Sequence, residues 1–366
     1  MKFICEQQAL SKALSTVQKA VSVRTTLPIL RGILLEVKDN VLTLSATDLD
    51  LSIVKKIPCK TQSEGSAVLS SRIFGDIIRK LPSGEILFEL TEEGNMIIKN
   101  NFSEFSIVGL SKDDFPNIID KDDAFFENEL RREDFSDMIR KTAFAASLDE
   151  TKGIIVGSLI EFEKTGINMV ALDGFRMSIA RMQKENNEEK SVVVSARLLS
   201  EISRVLSDSA EENIKLTVSD KKLSFILENT RVSVRLIDGE YIKYRDILPK
   251  EQKCVITVGK NELLSCIERA SLFAKEGKNN LIRIKTGATL MTVSSRSDEG
   301  NVKEELAVER EGLDLEIGFN SKYIMDVLKT IDDEKIKIEF NTSVSPCMIK
   351  PCSGDNFEHL VLPVRI

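Results

Sequence analysis

The chain has 366 residues, 42% hydrophobic and 30% charged, with a formal net charge of −7; this globular composition excludes a disordered or collagen-like chain. No apolar run approaches the roughly 20 residues that span a bilayer, and the start Met1-Lys2-Phe3-Ile4-Cys5-Glu6 lacks a signal-peptide apolar region, so a cytoplasmic protein with no membrane partner is expected. Six scattered cysteines without a Cys-x-x-Cys pair and a single histidine, His359, far from any ligand-spaced cluster argue for reduced thiols and against a metal site or cofactor chemistry.

The first element in the chain is a strand at residues 2–5, followed by a helix over residues 7–23. That helix carries an apolar line of Ala9, Leu10, Ala13, Leu14, Val17 and Val21, with Lys12 and Lys19 seven apart on the other side. Ile33, Leu35 and Val37 alternate, turn at Asp39-Asn40 and resume as Leu42, Leu44 and Ala46, the pattern of a hairpin. Leu49, Leu51 and Ile53 read as a third strand. A second helix over residues 71–81 turns Ile73, Phe74, Ile77, Ile78 and Leu81 inward and Arg72, Asp76 and Arg79 outward. A hairpin over residues 86–99, turning at Glu93-Gly94, and a closing strand at residues 105–108 complete the set.

The 71–81 helix is then written twice more, at 196–206 and 321–331, a step of 125 residues each time, with Arg197, Glu201 and Arg204 and then Lys322, Asp326 and Lys329 in place of Arg72, Asp76 and Arg79. Each copy puts bases at i and i+7 about two turns apart on one exposed line, with an acid between them in reach of both. The first helix recurs at 133–145, with Phe135, Met138 and Ile139 inward, and at 261–274, with Leu263, Ile267 and Ala270 inward. Strand pairs recur at 215–227 and 281–293. A repeat of this length is a domain. The expectation is an α+β chain of three similar domains of antiparallel sheet with two helices each, over residues 1–124, 125–250 and 251–366. The negative charge does not exclude nucleic acid, because the bases recur on helix faces while acids crowd elsewhere, as at residues 120–123 and 185–189.

The sequence has no phosphate loop, dinucleotide fingerprint or nucleophile elbow. Asp48, Asp173 and Asp298, again 125 apart, suggest a carboxylate-dependent hydrolase on a repeat scaffold as the alternative reading. Equivalent residues of successive domains lie a domain apart, whereas paired catalytic carboxylates must flank one bond. A scaffold that binds only proteins is a third reading.

Over its full length the chain resembles the beta subunit, or sliding clamp, of bacterial DNA polymerase III. The resemblance is carried by Thr26-Leu-Pro-Ile-Leu30, Ala46-Thr-Asp48, Phe115-Pro-Asn117, Val170-Ala-Leu-Asp-Gly-Phe-Arg176, Tyr244-Arg-Asp-Ile-Leu-Pro249, Ser345-Pro-Cys347 and Leu362-Pro-Val-Arg-Ile366. It implies a non-catalytic processivity factor, a head-to-tail homodimeric ring (the DNA clamp) with helices lining a hole that double-stranded DNA threads independently of sequence. The implied DNA-binding residues are Arg24, Arg72, Arg197 and Lys322, with Lys12, Arg79, Arg204 and Lys329 behind them. The implied dimer interface sets Phe105 and Ile107 of one subunit against Leu272 and Phe273 of the other. DNA polymerase subunits, the clamp loader and repair proteins are implied to dock through short peptide motifs in a pocket of Ile155, Leu172, Gly174, Phe175, Arg176, Met177, Ile242, Ile247, Asn320, Tyr323, Leu360, Leu362, Val364 and Arg365. Asn320 and the Arg176 region hold the peptide backbone, and Leu362 and Val364 share one strand face. The chain departs from the family's usual Thr, His and Pro at Leu172, Phe175 and Ile242, and carries Glu104 where relatives carry base.

Overall fold

The computed structural model describes residues 1–22, 25–118 and 124–366. Arg24, the end of the helix expected to reach Val23, and the acidic run at 120–123 beside the expected first boundary lie outside the described residues. Six α-helices are described: α1 (Gln7–Val17), α2 (Ser71–Lys80), α3 (Arg132–Thr142), α4 (Ala196–Ser207), α5 (Lys260–Glu276) and α6 (Ser321–Leu328). The first is shorter than its apolar periodicity suggests, because Gln18–Ala20 tightens into a 3-10 turn.

Contacts divide the chain into two compact units, Met1–Arg132 with Arg204–Leu236, and Glu133–Ser203 with Ile237–Ile366. This division follows the sheets, which run on from one repeat to the next. In the first unit, strand Leu51–Pro58 pairs antiparallel with Thr230–Arg235, as in Ile53↔Val232, and helps build a 13-stranded sheet. In the second unit, Arg176–Gln183 pairs with Phe357–Val361, as in Met177↔Leu360, within a nine-stranded sheet beside a separate four-stranded one. Main-chain hydrogen bonds therefore tie residues of neighbouring repeats into one sheet within each unit.

The local chemistry explains the elements. Asp39 and Asn40 adopt φ of 50° and 61°, the left-handed pair that a two-residue hairpin turn needs, so Gly32–Lys38 and Val41–Thr47 pair in the expected register. On α2, Phe74 is fully buried and meets Phe88 edge-on at 6.2 Å, while Phe88 stacks on Phe3 at 4.6 Å. Burying such a ring contributes about 2–3 kcal/mol. Ile73, expected inward, is 44% exposed. Helices α1 and α2 are joined by the Gln7 side chain donating to the Ile78 carbonyl (2.7 Å) and Gln18 donating to the Ser71 carbonyl (2.8 Å). A β-carbon at Gly75 would lie 2.2 Å from Gln18 Nε2, so a larger residue there would displace the Gln18 amide from the Ser71 carbonyl.

Leu49, expected in a strand, stands instead in a turn at φ 81°, and Gly174, its counterpart 125 residues later, takes φ 91° in the same turn. A side chain in that region costs on the order of 1–3 kcal/mol. Thr47 Oγ1 holds the strained residue by accepting from the Leu49 N–H at 3.0 Å.

Candidate functional site

The recurring bases stand on exposed helix faces. Lys12 lies on α1, Arg72 and Arg79 on α2, Arg197 and Arg204 on α4, Lys322 on α6 and Lys329 at its end, all exposed. Arg79 pairs with Asp76 (2.5 Å) and Gln18 (3.1 Å), and Lys329 with Glu268 (3.6 Å). Lys12, Arg72, Arg197 and Lys322 make no ion pair among the described residues. In the third copy the acid between the two bases does not serve them: Asp326 turns to Arg176, 2.6 Å away. These faces therefore offer isolated cations separated by locally neutralised pairs.

Among the strands with an open edge, two carry or adjoin the residues expected at the subunit joint. Glu104–Leu110 is paired along one side by Asn95–Lys99, and on the other only at Gly109 and Leu110. Gly300–Ala307 is the outermost strand of the four-stranded sheet. Phe105 is 36% exposed on the first edge, with Ile107 half-buried. Beside the second, Leu272 on α5 is 64% exposed and Phe273 half-buried, its ring so close over Gly300 that a β-carbon there would meet it at 2.9 Å. Glu104 is paired by Lys99 at 3.1 Å, so its charge is already compensated within the same strand pair. The Gly300–Ala307 edge had no signal in the apolar periodicity, because its side chains alternate between exposed and half-buried.

The second unit carries an apolar floor. Leu172, Met177 and Leu360 are buried with Leu159, Ile179, Tyr241, Tyr244 and Met348, and Ile155 and Leu362 pack against them. Ile242 and Ile247 flank the buried Tyr244 in sequence and are exposed, as are Gly174, Phe175 and Arg365. Phe175 stacks on Tyr323 at 6.1 Å. Arg176 is turned inward: its Nε donates to Asp173 (3.0 Å), its other nitrogens to Asp326 (2.6 Å) and the Phe144 carbonyl (2.9 Å), and its plane lies 4.8 Å over Tyr323 and 5.3 Å over Phe144. Such a buried guanidinium, each of its three nitrogens donating, fixes the strand that carries Met177 against α6. Asn320 Oδ1 accepts from the Lys322 N–H at 3.0 Å and caps α6. Phe144, Tyr241 and Met348 were not singled out in the sequence, and Asp326 was read only as a partner for Lys322 and Lys329; only the tertiary pairing brings them to this cluster.

The last residues do not continue one strand. The strand ends at Val361; the Leu362 N–H then donates to the Phe175 carbonyl (2.9 Å), whereas the Val364 N–H donates to the Gly318 carbonyl (2.9 Å) in the four-stranded sheet. Leu362 and Val364 thus fasten to two different sheets, and the expected alternation on one strand face gives way to a clip between them.

Two of the repeated aspartates, Asp48 and Asp173, hold turns. Asp48 Oδ1 accepts from the N–H groups of Asp50 (3.0 Å) and Leu51 (2.7 Å), and Asp173 Oδ1 from those of Phe175 (2.9 Å) and Arg176 (3.0 Å). Asp298 sits in the two-residue turn between Ser297 and Gly300. This is the side-chain-to-backbone capping that places aspartate in turns, and the hydrolase reading has no support. Among the described residues no cluster of three or more metal-ligating side chains occurs, and no helix is long and apolar enough to cross a membrane.

His359 lies fully buried, its Nδ1 2.9 Å from Ser178 Oγ, in the strand pair that joins Arg176–Gln183 to Phe357–Val361. Burial, and secondarily the charge of Lys141, push its pKa down to about 3 from 6.5. The folded chain holds the ring neutral while the unfolded chain protonates it below 6.5, so its contribution to stability is full above 6.5 and falls as pH drops toward 3. Its share of that fall approaches about 1.4 kcal/mol per pH unit. His359→Leu is therefore expected to flatten the loss of stability between pH 6 and pH 4, measured by urea unfolding; equal slopes in both proteins would show that His359 does not titrate in this way.

Comparison with known proteins gives the family of the chain. The family model described as DNA polymerase III beta subunit, N-terminal domain, matches residues 1–119; the central-domain model matches 129–243 and the C-terminal-domain model 245–365. A beta sliding clamp of Staphylococcus epidermidis is 34% identical over 378 residues, covering 100% of this chain and 99% of the relative. The DNA polymerase sliding clamp of Bacillus subtilis superposes with a TM-score of 0.96 at 30% identity, over 100% of this chain and 99% of that one. The DNA polymerase III beta subunit of Thermotoga maritima superposes with a TM-score of 0.93 at 29% identity, with the same coverage.

Proposed function

The chain belongs to the DNA polymerase III beta subunit family, the sliding clamps that serve the polymerase as a non-catalytic processivity factor, and from that premise we propose that two copies close head to tail into a ring around duplex DNA. The domains are taken as residues 1–124, 125–250 and 251–366. The observation that carries the reading is the recurrence, at a step of 125 residues, of an exposed base without an ion partner on α2, α4 and α6: Arg72, Arg197 and Lys322. Lys12 joins them, and Arg79, Arg204 and Lys329 stand farther along the same helices; Arg24 is assigned to this set on the resemblance alone.

The electrostatics suit a ring that moves. Each phosphate neutralised by a fixed base adds affinity through counterion release, so a dense basic lining would hold the DNA in place. Sparse cations interrupted by pairs such as Arg79–Asp76 leave binding weak and sequence-independent, because phosphate contacts carry no base readout. Retention then comes from topology. Closure is assigned to the open edge Glu104–Leu110 of one subunit meeting Gly300–Ala307 of its partner, with Phe105 and Ile107 against Leu272 and Phe273. The apolar floor around Leu172, Met177 and Leu360 is assigned to short extended peptides from polymerase subunits, the clamp loader and repair proteins. Arg176 acts in it by position, and Ile155, Gly174, Phe175, Ile242, Ile247, Asn320, Tyr323, Leu362, Val364 and Arg365 surround it.

The combined variant Arg72→Glu, Arg197→Glu and Lys322→Glu is expected to shorten residence on a primed circular DNA by about tenfold or more and to lower the salt slope by about one per lost phosphate contact. Its melting temperature should match the parent, since exposed unpaired charges contribute little to stability. Wild-type protein loaded on a circle should be released when the circle is cut. Unchanged residence of the variant at low salt would remove these residues from the lining, and retention on linear DNA would reject the ring.

A further inference from the structure

Cys5 and Cys59 occupy facing positions near one end of the first unit's sheet. Strand Lys2–Glu6 pairs antiparallel with the edge strand Lys60–Ser63 at Phe3↔Thr61 and Ile4↔Lys60, so the next rung of that register sets Cys5 opposite Cys59. Alternate residues of a strand share a face, which places the two thiols on the side where Phe3 packs. The atoms agree: Cys59 Sγ lies 3.6 Å from Thr61 Oγ1, and Cys5 Sγ lies 3.9 Å from the carbonyl oxygen of Pro58, the residue bonded to Cys59. Directly opposed residues in an antiparallel pair have Cα atoms about 4.5–5.5 Å apart, within the roughly 4.4–6.8 Å that a disulfide bridges. Both cysteines are free and buried.

We propose that Cys5 and Cys59 form an oxidisable dithiol that peroxide converts into a cross-strand disulfide. Cys59 is the point of entry, being 9% exposed against 3% for Cys5 and standing just before the edge strand. Its thiolate attacks a peroxide oxygen and displaces hydroxide, leaving a sulfenic acid on Cys59 and, after protonation, one water. The Cys5 sulfur then attacks the Cys59 sulfur, the S–O bond breaks, and hydroxide leaves with the Cys5 proton as a second water. Two thiols and one hydrogen peroxide give one disulfide and two waters. Burial pushes the Cys5 thiol up to about 12, with the neighbouring Cys59 adding to the shift, and raises Cys59 as well. Both are therefore protonated at neutral pH, and the reaction is slow until the edge strand opens.

The bond fastens Lys60–Ser63 to its one sheet neighbour and closes a chain loop containing α1 and the strands Gly32–Lys38, Val41–Thr47 and Leu51–Pro58. Closing a loop of that length restricts the unfolded chain and stabilises the folded one.

The test treats the full-length protein with hydrogen peroxide, alkylates it with N-ethylmaleimide under denaturing conditions and maps its peptides without reductant. The expected result is a Cys5–Cys59 linked peptide, lighter than its two parts by two hydrogens, that dithiothreitol resolves. The apparent melting temperature should rise by roughly 5 °C or more and return on reduction. Cys352→Ser, which removes the exposed thiol, should keep the link and the rise; Cys5→Ala and Cys59→Ala should each lose both. A peroxide dose that oxidises Cys352 yet leaves Cys5 and Cys59 open to alkylation would overturn the proposal. So would sulfinic acid on Cys59 without the linked peptide, or linkage found only between Cys352 of two copies.

Discussion

Leu272→Ala combined with Phe273→Ala is expected to give a folded monomer at concentrations where the parent protein is a dimer. Large apolar anchors near the centre of an interface contribute on the order of 2 kcal/mol or more each, so losing two weakens each of the ring's two joints by about a thousandfold. Folding of the subunit should survive. Leu272 is 64% exposed in the single chain, and α5 keeps its buried line of Leu263, Cys266, Ile267, Ala270 and Ala274. Phe273 costs more to remove, since its ring covers Gly300. Leu272→Ala alone separates the two effects, because it weakens the joint without opening that contact. Sedimentation at nanomolar to micromolar concentration reads the result; a double variant that stays dimeric at nanomolar concentration would place the joint on other residues.

What the sequence made legible was local. Apolar residues at helical spacing placed all six helices, and alternation with the Asp39-Asn40 turn placed the first hairpin, because both patterns arise from neighbours along the chain. Leu49 misled for the same reason: it continues an alternating run, and the Thr47 hydroxyl on its own N–H and the Asp48 side chain on the N–H groups of Asp50 and Leu51 bend the chain there. The site was legible in its residue types but not in its pairings. Asp326 reads as a partner for Lys322 and Lys329 on one helix, yet Arg176, 150 positions earlier in sequence, takes it. That choice depends on where two sheets and a helix meet, and a buried guanidinium with three acceptors outcompetes an exposed i,i+4 pair worth a few tenths of a kcal/mol. The open edges at Glu104–Leu110 and Gly300–Ala307 were not read from apolar alternation, which reports a strand's two faces and not whether its second edge is paired; the charged run Lys303-Glu304-Glu305 is the kind of mark that guards an edge.

Removing residues 362–366 is expected to lower the affinity for a polymerase-derived peptide with Leu or Phe anchors by about a hundredfold or more. Leu362 packs on the floor formed by Leu172, Met177 and Leu360, and its N–H holds the Phe175 carbonyl at 2.9 Å. Its loss takes away one wall and frees the turn that positions Phe175 and Gly174. The Val364 N–H bond to Gly318 goes as well, so the nine-stranded and four-stranded sheets lose their clip. A Leu362→Asp variant keeps both backbone bonds and tests the wall alone: a carboxylate beside the apolar floor is unpaired where the peptide must bury its anchor, which costs several kcal/mol unless the site stays wet. Neither change touches Phe105, Leu272, Phe273 or the exposed bases on α2, α4 and α6. Dimerisation and retention on circular DNA should therefore remain at parental levels while titration of the labelled peptide shows the loss. Undiminished peptide affinity in both variants would move the partner site off this floor, and loss of the dimer along with the peptide would mean that the terminal residues act through the fold of the third repeat.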